Sequence, residues 1–571
     1  MAEKTLKLKD AHDIVSHLEG ERQGVEDEDF RLISEYLLTH RGFWPKEGDT
    51  KTSILQRGKK NINPAATLSL ERAAGGLTTG MTPEGQPWFS LRLADSKLME
   101  AEGVRDHLAE RERVINHQLR KSGFYQAIHE FNIELLGFGG ALLFDDTSEE
   151  TISRYEDCTV GTYCIAMDSN NKLDTVTRRM RWSVKALKDK FGLTKLSDRA
   201  KRLLETKPYT KVDVVHVVRP REQRDDTKID KLNMKYESIM YEDMVMAEDA
   251  QEVSRDILRE GGYHEMPYDY TPYTRVGDSD YGMGPGHLVL WHSQQLNETE
   301  RQKIIALQKL INPPMKKPAS VKGRLNVGPA QETSVSATDS QGVAPLYEVP
   351  VQGYQSVLQE IQDVMLRIAA VTKADLFYDL PAEMRPKDMT LGEYMERKRE
   401  RMQQIAPVVS LYEPSVLDSV IVRENNRADR LGLFPEPPPA LVEAGEIEIV
   451  YTSMVAKSLR QVGAEATRVV LSDVKGIVDI QMAAGVKPTI LNKVNLPQAL
   501  DELAEGSGAP ASIVNDDSVY EELTAQDEAA EAAEMQNQQA MEGADAMSKM
   551  GGVSTQGTVA GKIMEGQQGN A

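Results

Sequence analysis

Apolar positions along the chain recur in blocks, some at helical and some at strand spacing. Leu32, Ile33, Tyr36 and Leu37 fall on one side of a 3.6-residue repeat, which predicts a helix over 30–41 stopped by Gly42, Trp44 and Pro45. A second helix opens at Asn63 and covers 64–76, and 88–91 alternates like a strand. Helices over 98–125 and 125–136 follow; the glycines of Gly137, Phe138, Gly139 and Gly140 read as the stop of the latter. Strand-like pieces at 141–144, 162–167, 174–180 and 212–218 are interrupted by short helices at 184–191 and 198–204, so 60–290 reads as an α+β unit.

Past residue 285 the character changes. A helix over 295–311 carries Ile304, Ile305, Leu307, Leu310 and Ile311 and is stopped by Pro313 and Pro314. About 35 residues without helical period follow, long for a loop in a compact domain. Helical spacing then returns in Tyr354, Val357, Leu358, Ile361, Val364, Met365, Ile368 and Val371. The pattern fits two core helices joined by a loop, or an antiparallel pair carrying a small β-rich tip. A turn-rich segment at 377–389 contains Arg385 and Lys387 together with Pro381 and Pro386, where the charges are either rigidly positioned or simply solvated. A third long helix begins at Thr390 and is expected to kink at Pro407 and Pro414. Its run Glu396, Arg397, Lys398, Arg399, Glu400 and Arg401 suits i,i+4 pairing on a solvated face, or contact with a neighbour or with phosphates. A strand at 447–451 and helices over 455–504 complete the pattern.

Charge changes this picture at one end. The chain has 571 residues and a formal charge of -21, and between Lys493 and Lys549 there are thirteen acids and no base. That stretch is either a solubilising tail or an acidic extension within a larger assembly. So acidic a chain is a poor candidate for gripping nucleic acid, since affinity for DNA comes largely from neutralising phosphates. It remains compatible with a surface that DNA slides past.

Candidate chemistry is sparse. No stretch has the roughly 20 apolar residues of a membrane span, and residues 1–10 are charged, so no secretory signal is expected. Cys158 and Cys164 read as two unrelated thiols in a reducing compartment. There is no phosphate-binding loop, no H-E-x-x-H and no G-x-S-x-G. Asp145 with Asp146, and Asp225 with Asp226, read as exposed turns, with a hard-cation site as the alternative. No enzyme activity, metal or cofactor is expected.

The order of these features resembles the head-to-tail connector, or portal, proteins of short-tailed phages (podoviruses). The resemblance runs from about 63 to 517. It is carried by 73–77, Met81, Thr82 and Pro83, and 88–91, then by Ser122, Gly123, Phe124 and Tyr125 leading to Gly137. Gly161, Thr162 and Tyr163, then Arg178, His216, Pro220 and Arg221, follow in register. The densest match is Tyr281, Gly282, Gly284 and Pro285, the helix to Pro314, and the returning helix to Asp375, Leu376 and Phe377. Met389, Thr390, Glu393, Glu396, Arg397 and Pro407 continue it, and Gly432, Pro435, Tyr451, Thr452 and Ser453 close it; Met454 stands where the family tends to have proline.

The resemblance implies a portal-type fold: an N-terminal helical extension (1–59), an α+β wing (60–290), stem helices (291–312 and 351–376), a clip (313–350) and a channel loop (377–389). Beyond these lie a long kinked helix and wing strand (390–451), a helical crown (452–524) and the acidic tail (525–571). It implies a ring, typically of twelve copies, at one capsid vertex of the virion, assembled from subunits made in the host cytoplasm. Double-stranded DNA would pass through it at packaging and ejection. Partners would be the terminase large subunit, then tail adaptor or nozzle proteins, with major capsid and scaffolding proteins around the ring and no membrane. On this basis Arg385, Lys387 and Lys373 are expected to face the channel, and Lys322, Arg324, Asn326 and Tyr347 to dock partners. Tyr354, Leu358, Ile361 and Met365 are expected at the ring interface. The competing expectations are an internal head or scaffold-like protein with no channel, and a carboxylate-dependent nuclease or hydrolase.

Overall fold

The computed structural model describes residues 2–41, 58–318, 321–322, 324–325, 343–346, 351–376, 400–444, 447–483, 490, 493–507, 520–527 and 529–530. Short gaps inside those ranges fall at 94, 100, 102, 149–151, 226, 229, 244–256, 401–402 and 521–522. The chain forms two compact units, each described by itself. The first comprises 1–91, 109–436 and 449–466, and the second 92–108, 437–448 and 467–571.

The first unit is α+β. Helix α1 is Ala2–Tyr36, α2 is Ala65–Met81, α3 is Val104–Lys121 (its first turn belongs to the second unit) and α4 is Phe124–Phe138. Strand β1 is Phe89–Leu93. Strands β2 (Gly140–Ser148) and β3 (Ile152–Cys158) join β9 (Tyr268–Pro272) in a three-stranded sheet ordered β3-β2-β9. Strands β4 (Tyr163–Met167), β5 (Leu173–Ser183), β6 (Lys211–Pro220), β7 (Tyr236–Glu242) and β8 (Ile257–Tyr263) form an antiparallel meander in chain order. Helices α5 (Val184–Phe191) and α6 (Asp198–Thr206) lie between β5 and β6 in sequence. Each is capped by a serine: Ser183 Oγ accepts from Ala186 N, and Ser197 Oγ from Ala200 N.

Strand β6 explains how the meander is covered on both faces. Val215 and Val217 point one way and pack with Leu8, Ala11 and Val15 of α1. Val214 points the other way, under α5 and α6, with Leu187, Leu196 and Met240. Side chains alternate along a strand, so burial on two sides calls for valines at successive positions, which Val214, Val215, Val217 and Val218 supply around His216. Helix α1 is therefore much longer than the 30–41 segment predicted, and it forms one cover of the sheet. Arg179 Nη2 to Glu19 Oε2 at 3.0 Å and Arg22 Nη1 to the Tyr163 carbonyl at 2.6 Å fix it there.

The two sheets are tied together by a buried histidine. His216 of β6 bonds Tyr268 Oη of β9 at 2.8 Å and Ser238 Oγ of β7 at 2.9 Å. Burial, helped by the nearby cations Arg178, Arg259 and Lys190, lowers its pKa to about 3 and keeps the ring neutral.

After these come α7 (Pro285–Ile311), β10 (Met315–Lys316), β11 (Ala344–Pro345) and α8 (Val351–Val371). Helix α9 runs Ala406–Tyr412, passes through a π-helical turn Glu413–Leu417 and resumes as Asp418–Arg430. Pro414 lacks an amide proton and sits in that turn, as expected of a distortion there. Pro407, by contrast, opens the helix and does not kink it. Residues 390–399 of the expected third helix lie outside the described residues.

Helix α9 is held to the three-stranded sheet by a buried ionic network. Arg423 Nε donates to Asp145 Oδ2 at 2.7 Å, and its Nη1 reaches the Met266 carbonyl at 2.7 Å and Asp269 Oδ1 at 3.1 Å. Arg427 Nη2 adds a second bond to Asp145 at 2.9 Å, and Tyr155 Oη donates to Glu424 at 2.7 Å. Asp145 thus corrects the exposed-turn expectation. It is 1% exposed, in strand β2, and its carboxylate is engaged by Arg423 and Arg427. Asp225 does lie in a turn, accepting from Thr227.

Strand β12 (Ile447–Tyr451) neighbours β1. Within the first unit, Thr452 N donates to the Trp88 carbonyl at 2.8 Å and Tyr451 stacks on Trp88 at 6.3 Å. The second unit contains α10 (Pro439–Ala444), the end of α11 (Met454–Ala483) and α12 (Leu496–Ser507). No described residue of α11 from 467 onward is buried, and Val469, Val470, Ile477 and Ile480 are exposed.

Candidate functional site

Helices α7 and α8 form a hairpin whose base is anchored in the first unit. The anchor is built from glycines. Gly139, which ends α4 with φ +81° and its N–H on the Leu135 carbonyl, faces Gly282 and Gly284. An added Cβ on Gly284 would lie 2.7 Å from Gly139 Cα, and one on Gly286 would overlap the Gly137 carbonyl oxygen. Only glycine permits backbones to approach so closely. Pro285 then sets the first helical turn, and His287 Nδ1 accepts from Gly284 N at 3.3 Å.

A second fixation lies at Asn297. Its Oδ1 accepts from the amides of Ile62 and Asn63 at 2.6 and 2.9 Å, and its Nδ2 donates to the Ser293 carbonyl at 2.8 Å. Beyond Asn297 no residue of α7 is buried. On the return, the first buried residue of α8 is Ile361. The segment between therefore projects as a two-helix arm. At its end β10 pairs antiparallel with β11, Met315 opposite Pro345, and Leu346 N donates to the Pro314 carbonyl at 2.7 Å. The alternative of two core helices joined by a loop is replaced by a projecting pair closed by a short ribbon.

Among the polar residues of its surface the arm exposes a set of large apolar side chains. Ile304, Leu307, Leu310 and Ile311 of α7 are 40–68% exposed, and nearer the base Leu288 and Trp291 are 52% and 69% exposed. On α8 the expected stripe divides. Ile361, Val364 and Ile368 turn into the chain's own core, while Leu358, Met365 and Leu366 face out at 37%, 41% and 64%. Of the residues expected at the ring interface, Leu358 and Met365 thus lie on the outer face, Tyr354 is half-buried and Ile361 packs internally.

Lys373 sits at the base of the hairpin in the left-handed region, φ +55°. Its Nζ donates to the Gln404 carbonyl at 2.7 Å and lies 5.9 Å from the Tyr273 ring centre, and burial lowers its pKa. Thr372 Oγ1 bonds Ser69 Oγ at 2.6 Å beside it. Arg385 and Lys387 lie outside the described residues, as do Asn326 and Tyr347. Lys322 and Arg324 are exposed.

Two features of the arm escaped the pattern reading. Trp291, Leu288 and Leu366 face away from the core, and the sequence signal was apolar residues on more than one side of each helix. The other is charge: from Arg301 to Gln331 there are seven bases and no acid, on a chain of net charge -21. Among the described residues no group of three or more His, Cys, Asp or Glu side chains could hold a metal ion, and no helix is long and apolar enough to cross a membrane. Cys158 and Cys164 are both buried free thiols.

Residues 8–514 match the family described as bacteriophage head to tail connecting protein. A "Probable portal protein" of Bordetella phage BPP-1 is 29% identical over 537 residues, 92% of this chain and 92% of its own length. A "Portal protein" of Salmonella phage epsilon15 is 28% identical over 502 residues, 86% and 87% of the two chains. A match over so much of its length places this chain in the bacteriophage head to tail connecting protein family.

Proposed function

We propose that the protein is the portal subunit of a short-tailed phage, a structural protein that assembles into a closed ring, typically of twelve copies, at the capsid vertex joined to the tail. The observation that carries this reading is the arm: two helices that leave the core with apolar side chains that stay exposed among the described residues. An exposed surface of that kind is normally an interaction site. Repetition of one head-to-tail contact closes into a ring when its rotation allows. Trp291, Ile304, Leu307, Leu358 and Met365 supply that contact, and the wing surrounds it.

In this reading double-stranded DNA enters and leaves through the ring. Each phosphate–cation contact adds affinity that sliding must break, so an acidic subunit with few positioned cations suits a conduit. Arg385 and Lys387 are the proposed channel-facing cations, with Lys373 anchoring the loop's base. The tip, with Lys322, Arg324, Asn326 and Tyr347, docks the terminase motor and later the tail adaptor proteins, and its run of bases favours acidic partner surfaces. Capsid and scaffolding proteins contact the ring from outside.

Sedimentation and negative-stain imaging of the purified chain test this reading. The expected result is closed rings with an axial hole, with a mass near twelve times 63.6 kDa. Monomers, or open filaments with no axial hole, overturn it.

A further inference from the structure

Away from the stem, a small cavity of 130 Å³ opens between the start of β9, the end of β8 and α9. Five cations line it: Arg423, Arg427 and Arg430 from α9, Arg259 from β8, and Lys231. Two acids, Asp145 and Glu265, oppose them. Arg423 and Arg427 are engaged by Asp145, and Arg430 reaches Glu265 at 3.3 Å. That leaves Arg259, which is half-buried, and Lys231, which is exposed, with no ion-pair partner among the described residues. A half-buried guanidinium without a carboxylate, beside three more arginines, is an unusual expense of desolvation in a chain with 89 acids and 68 bases.

We propose that this cavity binds one phosphate-sized oxoanion, held between Arg259 and Lys231 on one side and the outer guanidinium edges of α9 on the other. Planar guanidinium forks match the oxygens of phosphate better than a halide or a neutral group. The volume lies below the roughly 300 Å³ at which pockets accept whole small molecules, so the site takes the anion and excludes a base or sugar. The acids already present are bonded to arginines, so the uncompensated charge lies with Arg259 and Lys231. A bound anion would bridge β8 to α9, across the two sheets. Free inorganic phosphate and a phosphate of a nucleic-acid backbone share this chemistry.

The test is titration of the full chain with sodium phosphate, against sodium chloride at matched ionic strength, followed by calorimetry and thermal melting. Saturable phosphate binding that raises the melting temperature is expected. R259Q and K231Q should each weaken it about tenfold or more, the loss of one charge-assisted contact, without changing the melting temperature in chloride. Lys231 is exposed, so K231Q retains the test even if R259Q perturbs β8. Competition by a short single-stranded oligonucleotide, lost in the same variants, identifies backbone phosphate as a source; phosphate binding without such competition identifies the free anion. No saturable binding, or binding unchanged in both variants, overturns the proposal.

Discussion

Gly286, in the first turn of α7, lies against Gly137 near the end of α4, with no room between them for a side chain. The projecting arm is therefore seated backbone on backbone. Alanine at 286 must push the two helices apart, at a cost of about 1–3 kcal/mol as in other overpacked sites. Urea denaturation of the G286A chain should show that loss. An unchanged midpoint would mean the seat is looser than the structure has it.

Arg423 is the hub of the network that pins α9. R423M removes the cation and leaves Asp145 and Asp269 buried with fewer partners, Asp145 keeping Arg427. Breaking a buried pair from one side typically costs about 3–5 kcal/mol. The variant is expected to unfold at correspondingly lower urea, and the D269N/R423M double variant, which neutralises the acid left without a cation, should recover part of the loss.

His216 gives the fold a pH dependence of defined sign. Its pKa is about 3 in the folded chain against an ordinary 6.5. Between those values the unfolded chain binds the proton and the folded chain does not, so stability falls as pH drops below about 6.5. The H216Q variant should show a shallower decline over that range in pH-resolved denaturation. An identical slope would place the proton uptake elsewhere.

The exposed arm residues should matter to assembly and little to folding. L307E with I311E places charge on a face that is already wet in the subunit. Thermal melting of the subunit should move by less than about 1 kcal/mol equivalent, as for ordinary surface changes. Association should weaken roughly 30-fold or more, the scale of a disrupted hot spot, as read by sedimentation.

If Arg385 and Lys387 face DNA as proposed, R385Q with K387Q should alter DNA packaging or retention while leaving rings intact by negative stain. Failure of the double variant to assemble would make these side chains structural.

Much of the helical scaffold was legible because its apolar positions repeat locally; α5 and β12 fall where the pattern put them, and Gly139 ends α4 as its neighbours suggested. The missing strands share a different cause. Strand β7 buries Glu237, Ser238 and Glu242, and β9 buries Asp269. Their partners are Arg219 and Arg221, His216, Ser197 and Arg423. Polar residues satisfied by distant partners break any local alternation, so those strands read as loops. Strand β8 holds Gly261 and Gly262, and Gly262 packs against the Lys231 and Tyr236 carbonyls, where a pattern reader sees only a turn. Helix α1 did leave a trace: Leu8, Ala11, Val15, Leu18 and Arg22, all buried, recur at alternating spacings of three and four. The arm's apolar residues were visible, but which of them turn inward depends on where α2 and α4 stand, and that is tertiary information.

The length of α7 has a mechanical consequence. Its 27 residues form an unbroken rod of about 40 Å at 1.5 Å per residue. Its root is clamped between glycines and it is held again at Asn297, so its last 14 residues, about 21 Å, are the free part, and a tilt of about five degrees at Asn297 swings the far end by roughly 1.8 Å. Whatever grips the tip therefore works through a long lever, and a displacement comparable to an atomic radius at one extremity becomes a sub-ångström adjustment at the fulcrum.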